Sequence, residues 1–558
     1  MIWRYRFSLF FLIFFLLLVI LRLFYWQVVK AGELSDLGRL QYGKYVNVMP
    51  KRGEIKASDG FSLAANKINY LVFANPKEIK DKEKNALLLS SFLELDTASI
   101  SAAFEKDLFW VPLKGEVEDS VKSEIKRLNL DGIGFEQQFS RLYPESSMAA
   151  SLLGFVGKDE NGEQKGYYGI EGFYNRQLKG RSSFAVQIHD AFGRPVLARS
   201  SQDTSPVEGR DLILNIDRSI QFIAEKALKD GIERYKAEGG MVGIINPKTG
   251  GVLAMATFPS FDPRDYSSYS SNLFKNPFIS SLYEPGSTFK SLIMSSALDA
   301  GVVEPQTKCN ICSGPVSIGG YQIKTWNDKY SSNITMIDVI KNSDNTGMVF
   351  AGKSLGLEKL LKYLDSFGIG SQTGIDLEGE IYQPLKPIAN WYAIDLATAS
   401  FGQGISITPI ELLSAFSAIA NQGKRMEPHV VSKIKTSKNQ TIQIEPKLLG
   451  KPISEKTAKV MTEILVNAVD KGEAKWAKPK GYRIAGKTGT AQIPIAGHYD
   501  ADKTIASFIG FAPADDPKFA MLVIVDRPQT SIYGSETAAP IFFDIAQKIL
   551  SYYEIPPQ

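Results

Sequence analysis

Histidine is almost absent. The 558 residues hold 3: His189, His429 and His498. None has a second histidine four residues on or a Cys/His cluster beside it, so a histidine-rich metal site is excluded and no metal is expected. A Ser-His-Asp relay would have to use one of the three, and each reads as a structural or surface residue. Lysine is therefore the more available base. Cysteine is nearly as scarce, with only Cys309 and Cys312. A redox Cys-x-x-Cys lacks thioredoxin-like surroundings, a zinc ribbon lacks its second pair, and a local disulfide is open to an oxidising compartment. The pair reads as a structural loop feature. An excess of one charge is also missing. The net charge is +4, and no Lys/Arg-dense stripe stands out, which argues against nucleic acid as a partner. No internal repeat or low-complexity tract appears.

What is present is globular: 44% hydrophobic and 22% charged residues exclude a disordered chain. The length suggests about three or four domain-sized units. One long apolar run stands at the start. Residues 7–29 are long enough to cross about 30 Å of hydrocarbon at about 1.5 Å per residue. A cleaved signal peptide is the rival reading. Bulky Phe24, Tyr25 and Trp26 follow the apolar run where a cleavage site needs small residues, which favours an uncleaved anchor. Arg4 and Arg6 place the N-terminus in the cytoplasm and the rest outside the membrane. Arg22 either snorkels outward or faces a partner helix.

Residues 31–205 carry no nucleophilic constellation and read as a pedestal. They hold a strand-turn-strand around Asp59-Gly60 and a helical, Lys/Glu-rich stretch over 76–130. A boundary falls near residues 205–209. Beyond it, Asp211 to Ile216 predicts a strand and Asp217 caps a helix through Ile232. Two β-rich runs around Asn246-Pro247-Lys248-Thr249-Gly250 predict a hairpin. Helices are expected at 335–340, 392–422 (two runs), 457–469 and 539–552. Strands are expected at 482–485, 505–511 and 519–525. The expected class is α+β, an antiparallel sheet with helices against it.

The chemistry centres on Glu284-Pro285-Gly286-Ser287-Thr288-Phe289-Lys290. The apolar run after Ser287 predicts a mostly buried helix starting at or near it. That puts Lys290 one turn away, within reach of the hydroxyl. The helix start also presents free N–H groups. A hydroxyl, an amine and an anion site suit acyl transfer through serine. Ser-x-x-Lys alone is weak, since Ser123/Lys126 and Ser432/Lys435 match it too. Two more elements follow in order: Ser343-Asp344-Asn345, expected in a loop after a helix, and Lys487-Thr488-Gly489, expected after a strand. Lys248-Thr249-Gly250 and Ser331-Ser332-Asn333 are further matches, in the wrong order or place.

This ordered trio is the signature of penicillin-binding proteins and class A β-lactamases. The chain resembles a class B penicillin-binding protein, a monofunctional peptidoglycan D,D-transpeptidase, over nearly its whole length. Arg52-Gly53-Glu54-Ile55, Arg141-Leu142-Tyr143-Pro144, Gly169-Ile170-Glu171, Phe401-Gly402-Gln403-Gly404 and Ala485 to Ala491 add to the likeness. Tyr499, Ser507 to Pro513 and Ala538 to Phe542 are most similar to the division (septal) branch. The elongation and sporulation branches share most of these words. No glycosyltransferase module separates anchor from pedestal, and no repeat modules follow the last helix. Gly472-Glu473-Ala474 departs from the Gly-Thr-Ala-like turn of relatives.

The resemblance implies an anchor (1–30), an elongated, mostly β pedestal (31–205) and a transpeptidase domain (206–558) with a central antiparallel sheet flanked by helices. It implies a catalytic set of Ser287, Lys290, Ser343 and Lys487. Asn345, Thr488, Gly489 and Thr490 would bind substrate, and the N–H groups of Ser287 and Thr490 would form an oxyanion hole. No cofactor is implied. The implied ligands are D-Ala-D-Ala stem peptides and β-lactams. Implied partners are the membrane, a polytopic septal glycosyltransferase and small division proteins. A D,D-carboxypeptidase or β-lactamase-like hydrolase remains an alternative, as does a non-enzymatic penicillin sensor or division scaffold.

Overall fold

A computed structural model describes residues 2–34, 37, 43–48, 50–160, 162–188, 206–438, 440–495 and 498–557. His189 lies outside the described residues. The apolar start forms a helix from Ile2 to Phe24 that continues as a π-helical turn, Tyr25–Val29. Together they span 28 residues, roughly 42 Å at 1.5 Å per residue. Arg22 lies with its guanidinium 5.1 Å from the Trp26 ring centroid and 5.7 Å from that of Tyr25.

The chain folds as two compact units. One comprises Met1–Arg52, Lys67–Ser140 and Gly180–Gly209; the other comprises Gly53–Asn66, Arg141–Lys179 and Arg210–Gln558. In the first, helices Lys82–Leu93, Thr97–Phe104 and Asp119–Arg127 accompany strand Val111–Val117, which pairs antiparallel with residues 70–74. Leu89, Leu93, Ile100, Phe104 and Ile125 join Val72 and Ala74 in one buried cluster. Ser123 and Lys126, the first spare Ser-x-x-Lys match, sit on the third of these helices.

Two stretches that precede residue 205 belong to the second unit. Tyr174 donates its hydroxyl to Asp376 Oδ2 at 2.9 Å, and the Tyr168 N–H donates to Glu378 Oε2 at 2.8 Å. Ser432 and Lys435 fall on strand Val431–Lys435, where residues three apart point to opposite faces. Ser432 instead donates to the Ile213 carbonyl.

The site is carried by five strands and six helices of the second unit. In chain order these are α1 (Arg218–Tyr235), β1 (Gly239–Ile245), β2 (Val252–Phe258), α2 (Lys290–Asp299), α3 (Met336–Lys341), α4 (Asn345–Leu355), α5 (Glu455–Lys471), β3 (Ala485–Ile495), β4 (His498–Ala512), β5 (Phe519–Asp526) and α6 (Ala538–Tyr552). Asp217 caps α1, accepting from the N–H groups of Ser219 and Ile220. The strands form one antiparallel sheet in the order β2-β1-β5-β4-β3. β5 shows why its sequence is apolar without alternation. Phe519, Met521, Val523 and Val525 pack into the cluster that holds α1 and α6, while Ala520, Leu522 and Ile524 face the cluster that holds α2 and α5. A strand covered on both faces needs apolar side chains on both.

The last strand before the C-terminal hairpin differs from expectation. Residues 482–485 read as the strand leading into Lys487, but the strand begins at Ala485 and runs through the Lys-Thr-Gly motif to Ile495. Two glycines hide it from local propensity, because glycine weakens a strand. The packing explains them: a Cβ on Gly489 would meet Ser507 Oγ at 2.3 Å and Thr288 Cγ2 at 2.8 Å.

Candidate active site

Ser287 sits in a single 3-10 turn, Gly286–Thr288, and α2 opens at Lys290. The helix thus starts three residues later than Ser287, and the tighter turn still keeps serine and lysine on one side, since residues i and i+3 eclipse in 3-10 geometry. Gly286 holds φ +55°, and a Cβ there would meet Ala491 Cβ at 3.2 Å. Its N–H donates to the Gly402 carbonyl at 3.0 Å, tying the turn to the Phe401-Gly402-Gln403-Gly404 segment. The start of α2 is buried all round, and Ser295 and Ser296 satisfy their hydroxyls on the carbonyls of Ser291 and Leu292.

Lys290 is 0% exposed. Its Nζ donates to the Ser343 carbonyl at 2.6 Å and to Asn345 Oδ1 at 2.7 Å, with Ser343 Oγ at 3.3 Å. Among the described residues it makes no hydrogen bond to the Ser287 hydroxyl. Lys487 Nζ, 144 residues further along, donates to the same Ser343 Oγ at 3.0 Å. One hydroxyl therefore stands between two amines.

The loop is shaped for this. Thr335 and Asp338 form a capping box on α3, and Asp344 caps α4, accepting from the Gly347 N–H at 2.8 Å. Between the two helices Ser343 is held at φ +56°, a left-handed conformation that non-glycine residues adopt rarely and that marks functional turns. It lets both the carbonyl and the hydroxyl of Ser343 face Lys290. Asn345 donates through Nδ2 to the Lys324 carbonyl at 2.9 Å. Its amide retains one N–H and one lone pair for a further partner.

Burial lowers the Lys290 pKa well below the ordinary lysine value, and the Lys487 charge lowers it further, opposed by Asp344 and Glu473. Burial also brings Lys487 down, to about 8, opposed by Glu473. Burial thus makes both lysines easier to deprotonate than a free lysine. Thr488 accepts from Lys487 Nζ through its hydroxyl and its carbonyl, each at 3.2 Å. Gly489 lets β3 press against the Ser287 turn. Thr490 accepts from the Gly534 N–H at 3.0 Å, so its hydroxyl is partly engaged within the protein.

The spare motif matches lie elsewhere. Lys248 is exposed in the β1–β2 turn and pairs with Asp516. Ser331 to Asn333 form a surface loop ahead of α3. His429 is buried, with Nδ1 3.2 Å from the Glu427 carbonyl. Cys309 and Cys312 are buried and joined as a disulfide that closes a loop. Residue reasoning missed the Lys324 carbonyl and the capping role of Asp344. The first carries no signal in sequence; the second could have been read from the Asp-x-x-Gly start of α4.

A serine at a tight turn, a neutral-prone lysine beside it, and a hydroxyl bridging to a second lysine define a serine acyl-transferase of the penicillin-binding type. The comparisons agree. Residues 240–547 match the model of the penicillin binding protein transpeptidase domain, and residues 47–214 that of the penicillin-binding protein dimerisation domain. The chain belongs to the class B penicillin-binding proteins, the monofunctional peptidoglycan D,D-transpeptidases. It is 34% identical to stage V sporulation protein D of Bacillus subtilis, over 100% of this chain and 86% of that protein. It is 29% identical to peptidoglycan D,D-transpeptidase FtsI of Escherichia coli K12, over 95% and 88% of the two. Among solved structures, a peptidoglycan synthetase from Bifidobacterium adolescentis superposes with a TM-score of 0.75 at 27% identity, covering 92% of this chain and 98% of that one.

Proposed function

We propose that this chain crosslinks peptidoglycan stem peptides from an extracytoplasmic position, anchored by residues 7–29 in the inner (plasma) membrane, in the division septum. The observation that carries the chemistry is the sealed Lys290 amine, bonded to Ser343 and Asn345 beside Ser287, with Ser343 bridging to Lys487. A neutral amine has two hydrogens, enough for its two short bonds, and keeps a lone pair for the serine proton. Ser287 Oγ attacks the penultimate D-Ala carbonyl and its proton passes to Lys290. The C–N bond then breaks, and the departing D-Ala amine takes a proton along the path through Ser343. An amine of a neighbouring stem attacks the acyl-enzyme, gives up a proton to the same path, and restores Ser287. Lys487 and the hydroxyls of Thr488 and Thr490 receive the substrate carboxylate, and Asn345 its amide. A β-lactam enters the first half and stalls there.

Labelled penicillin tests this. Label is expected on the parent and absent from Ser287→Ala; label that survives the substitution overturns the nucleophile. Slow release of the label on chase distinguishes a transferase from a hydrolase.

The lysines also imply a pH profile. Lys290 must be neutral to act, so acylation should rise as pH climbs through its depressed pKa. Lys487 must stay charged to hold a carboxylate, so the rate should fall as pH passes about 8. The expected profile of the acylation rate constant is a bell with an alkaline limb near that value. A rate that keeps rising to pH 10 would contradict the role of Lys487.

The septal role is supported by the FtsI relatives and implies pairing with a polytopic glycosyltransferase and small division proteins. The 34% identity to a sporulation protein favours a second reading, a sporulation branch. Depletion decides between them: filamenting cells support division, and a defect confined to sporulation supports the other.

A further inference from the structure

Helix α5 ends against the back of the site. Its C-cap, Gly472, packs toward α3: a Cβ there would meet the Lys341 carbonyl oxygen at 3.1 Å, besides the carbonyl of Ala468 in its own helix at 2.2 Å. The next residue, Glu473, is set beside β3, the strand that bears Lys487. With Lys341, Asn342, Asp344 and Lys471 it lines a cleft of about 450 Å³. With Lys487, Thr488 and Phe508 it lines a second cavity of only about 10 Å³. Its Oε1 is buried and accepts no hydrogen bond from any described residue. Among the described residues no cation lies within ion-pair distance of it. Lys341, which lines both cavities with it, is committed to Asp338 at 2.6 Å.

We propose that Glu473 is a positioning residue for acyl transfer, its carboxylate acting from behind the cleft to set which charge Lys290 and Lys487 carry. Oε1 of Glu473 is buried without a donor, so no hydrogen-bond partner in the protein draws off its negative charge density. Glu473 and Lys487 both line a cavity of about 10 Å³, with room for about one water at most, so on that side little solvent screens the interaction. The charges facing the pair are few. Lys487 meets Ser343 and Thr488 by hydrogen bonds and shares the small cavity with Glu473 and with Lys341, whose amine is paired to Asp338. Lys290 meets Ser343 and Asn345 by hydrogen bonds and feels Lys487, Asp344 and Glu473. Glu473 is the one carboxylate that favours the charged form of both lysines.

This inference rests on the proposed roles of the two lysines, and its test separates from theirs. Removing the carboxylate lets both lysines lose their protons at lower pH. In Glu473→Gln, both limbs of the pH profile for penicillin acylation of the full-length protein should therefore move acidward together. A shift of ~0.5–1 pH unit is expected for one nearby charge at intermediate screening. Glu473→Asp keeps the charge and should restore most of the shift. If the Gln variant melts well below the parent, Glu473→Met repeats the measurement without charge. A purely structural role would lower the plateau and leave both limbs in place. Limbs that stay put, or move alkaline, in a folded variant overturn the inference. The Ser287 labelling test stands apart: the parent is labelled and Ser287→Ala is not, wherever the limbs lie.

Discussion

Lys290→Met is expected to slow acylation of Ser287 by ~10³–10⁴-fold, the upper range for removal of a positioned base. Methionine fills a similar volume, so α2 keeps its packing, but the lone pair that takes the serine proton is gone. The substitution also strips donors from the Ser343 carbonyl and Asn345 Oδ1, which lie 2.6 and 2.7 Å from the amine. Each acceptor left unpaired in a buried site costs about 1–3 kcal/mol, so a thermal melt must accompany the kinetics. Lys290→Arg separates the two effects. A guanidinium can donate to both oxygens but stays charged at any accessible pH. It should recover stability and remain inactive. A stopped-flow rate for either variant within ten-fold of the parent would remove Lys290 from the role of base.

Glu171→Ala is expected to destabilise the second unit by about 3–5 kcal/mol, the range for breaking one side of a buried ion pair. Arg141 Nε donates to Glu171 Oε1 at 2.6 Å, with the two side chains 4% and 0% exposed. Arg141 also donates to the Gly53 carbonyl at 2.8 Å. Alanine leaves a guanidinium in the interior without its carboxylate. The pair is far from any role in acyl transfer, so protein that remains folded should still take label at Ser287. Replacing both partners, as in Arg141→Met with Glu171→Leu, should recover much of the loss, because the cost lies in the orphaned charge. Urea unfolding followed by fluorescence reads the difference. A Glu171→Ala midpoint equal to the parent's would mean that the interior accommodates the charge by another route.

These two sites differ in how they show themselves in a chain of letters. Ser287, Lys290, Ser343, Asn345 and Lys487 belong to short words whose order is informative, and hydrogen bonds join Lys290, Ser343, Asn345 and Lys487 in the structure. Lys248 and Ser432 belong to words just as good in isolation; a turn and a strand place them away from that network. Arg141 and Glu171 read as words of the family likeness inside a pedestal, with no sign that they pair. Their segment, residues 141–179, packs in the unit that holds Ser287 through Tyr174–Asp376 and Tyr168–Glu378. No local pattern announces a contact between residues some two hundred positions apart.

What the chain's letters determined alone was local: the apolar anchor, the cap at Asp217, the strand at 519–525 and the three motifs in sequence. Capping, apolar runs and periodicity act over a few residues, so they are visible without a fold. Tertiary structure decided the rest. It seated Lys290 and Lys487 on one hydroxyl, turned Ser343 into a left-handed conformation and placed Glu473 on the small cavity that Lys487 lines. Those outcomes depend on burial and on charges brought close by distant segments, and proton affinities respond to such surroundings, not to sequence neighbours.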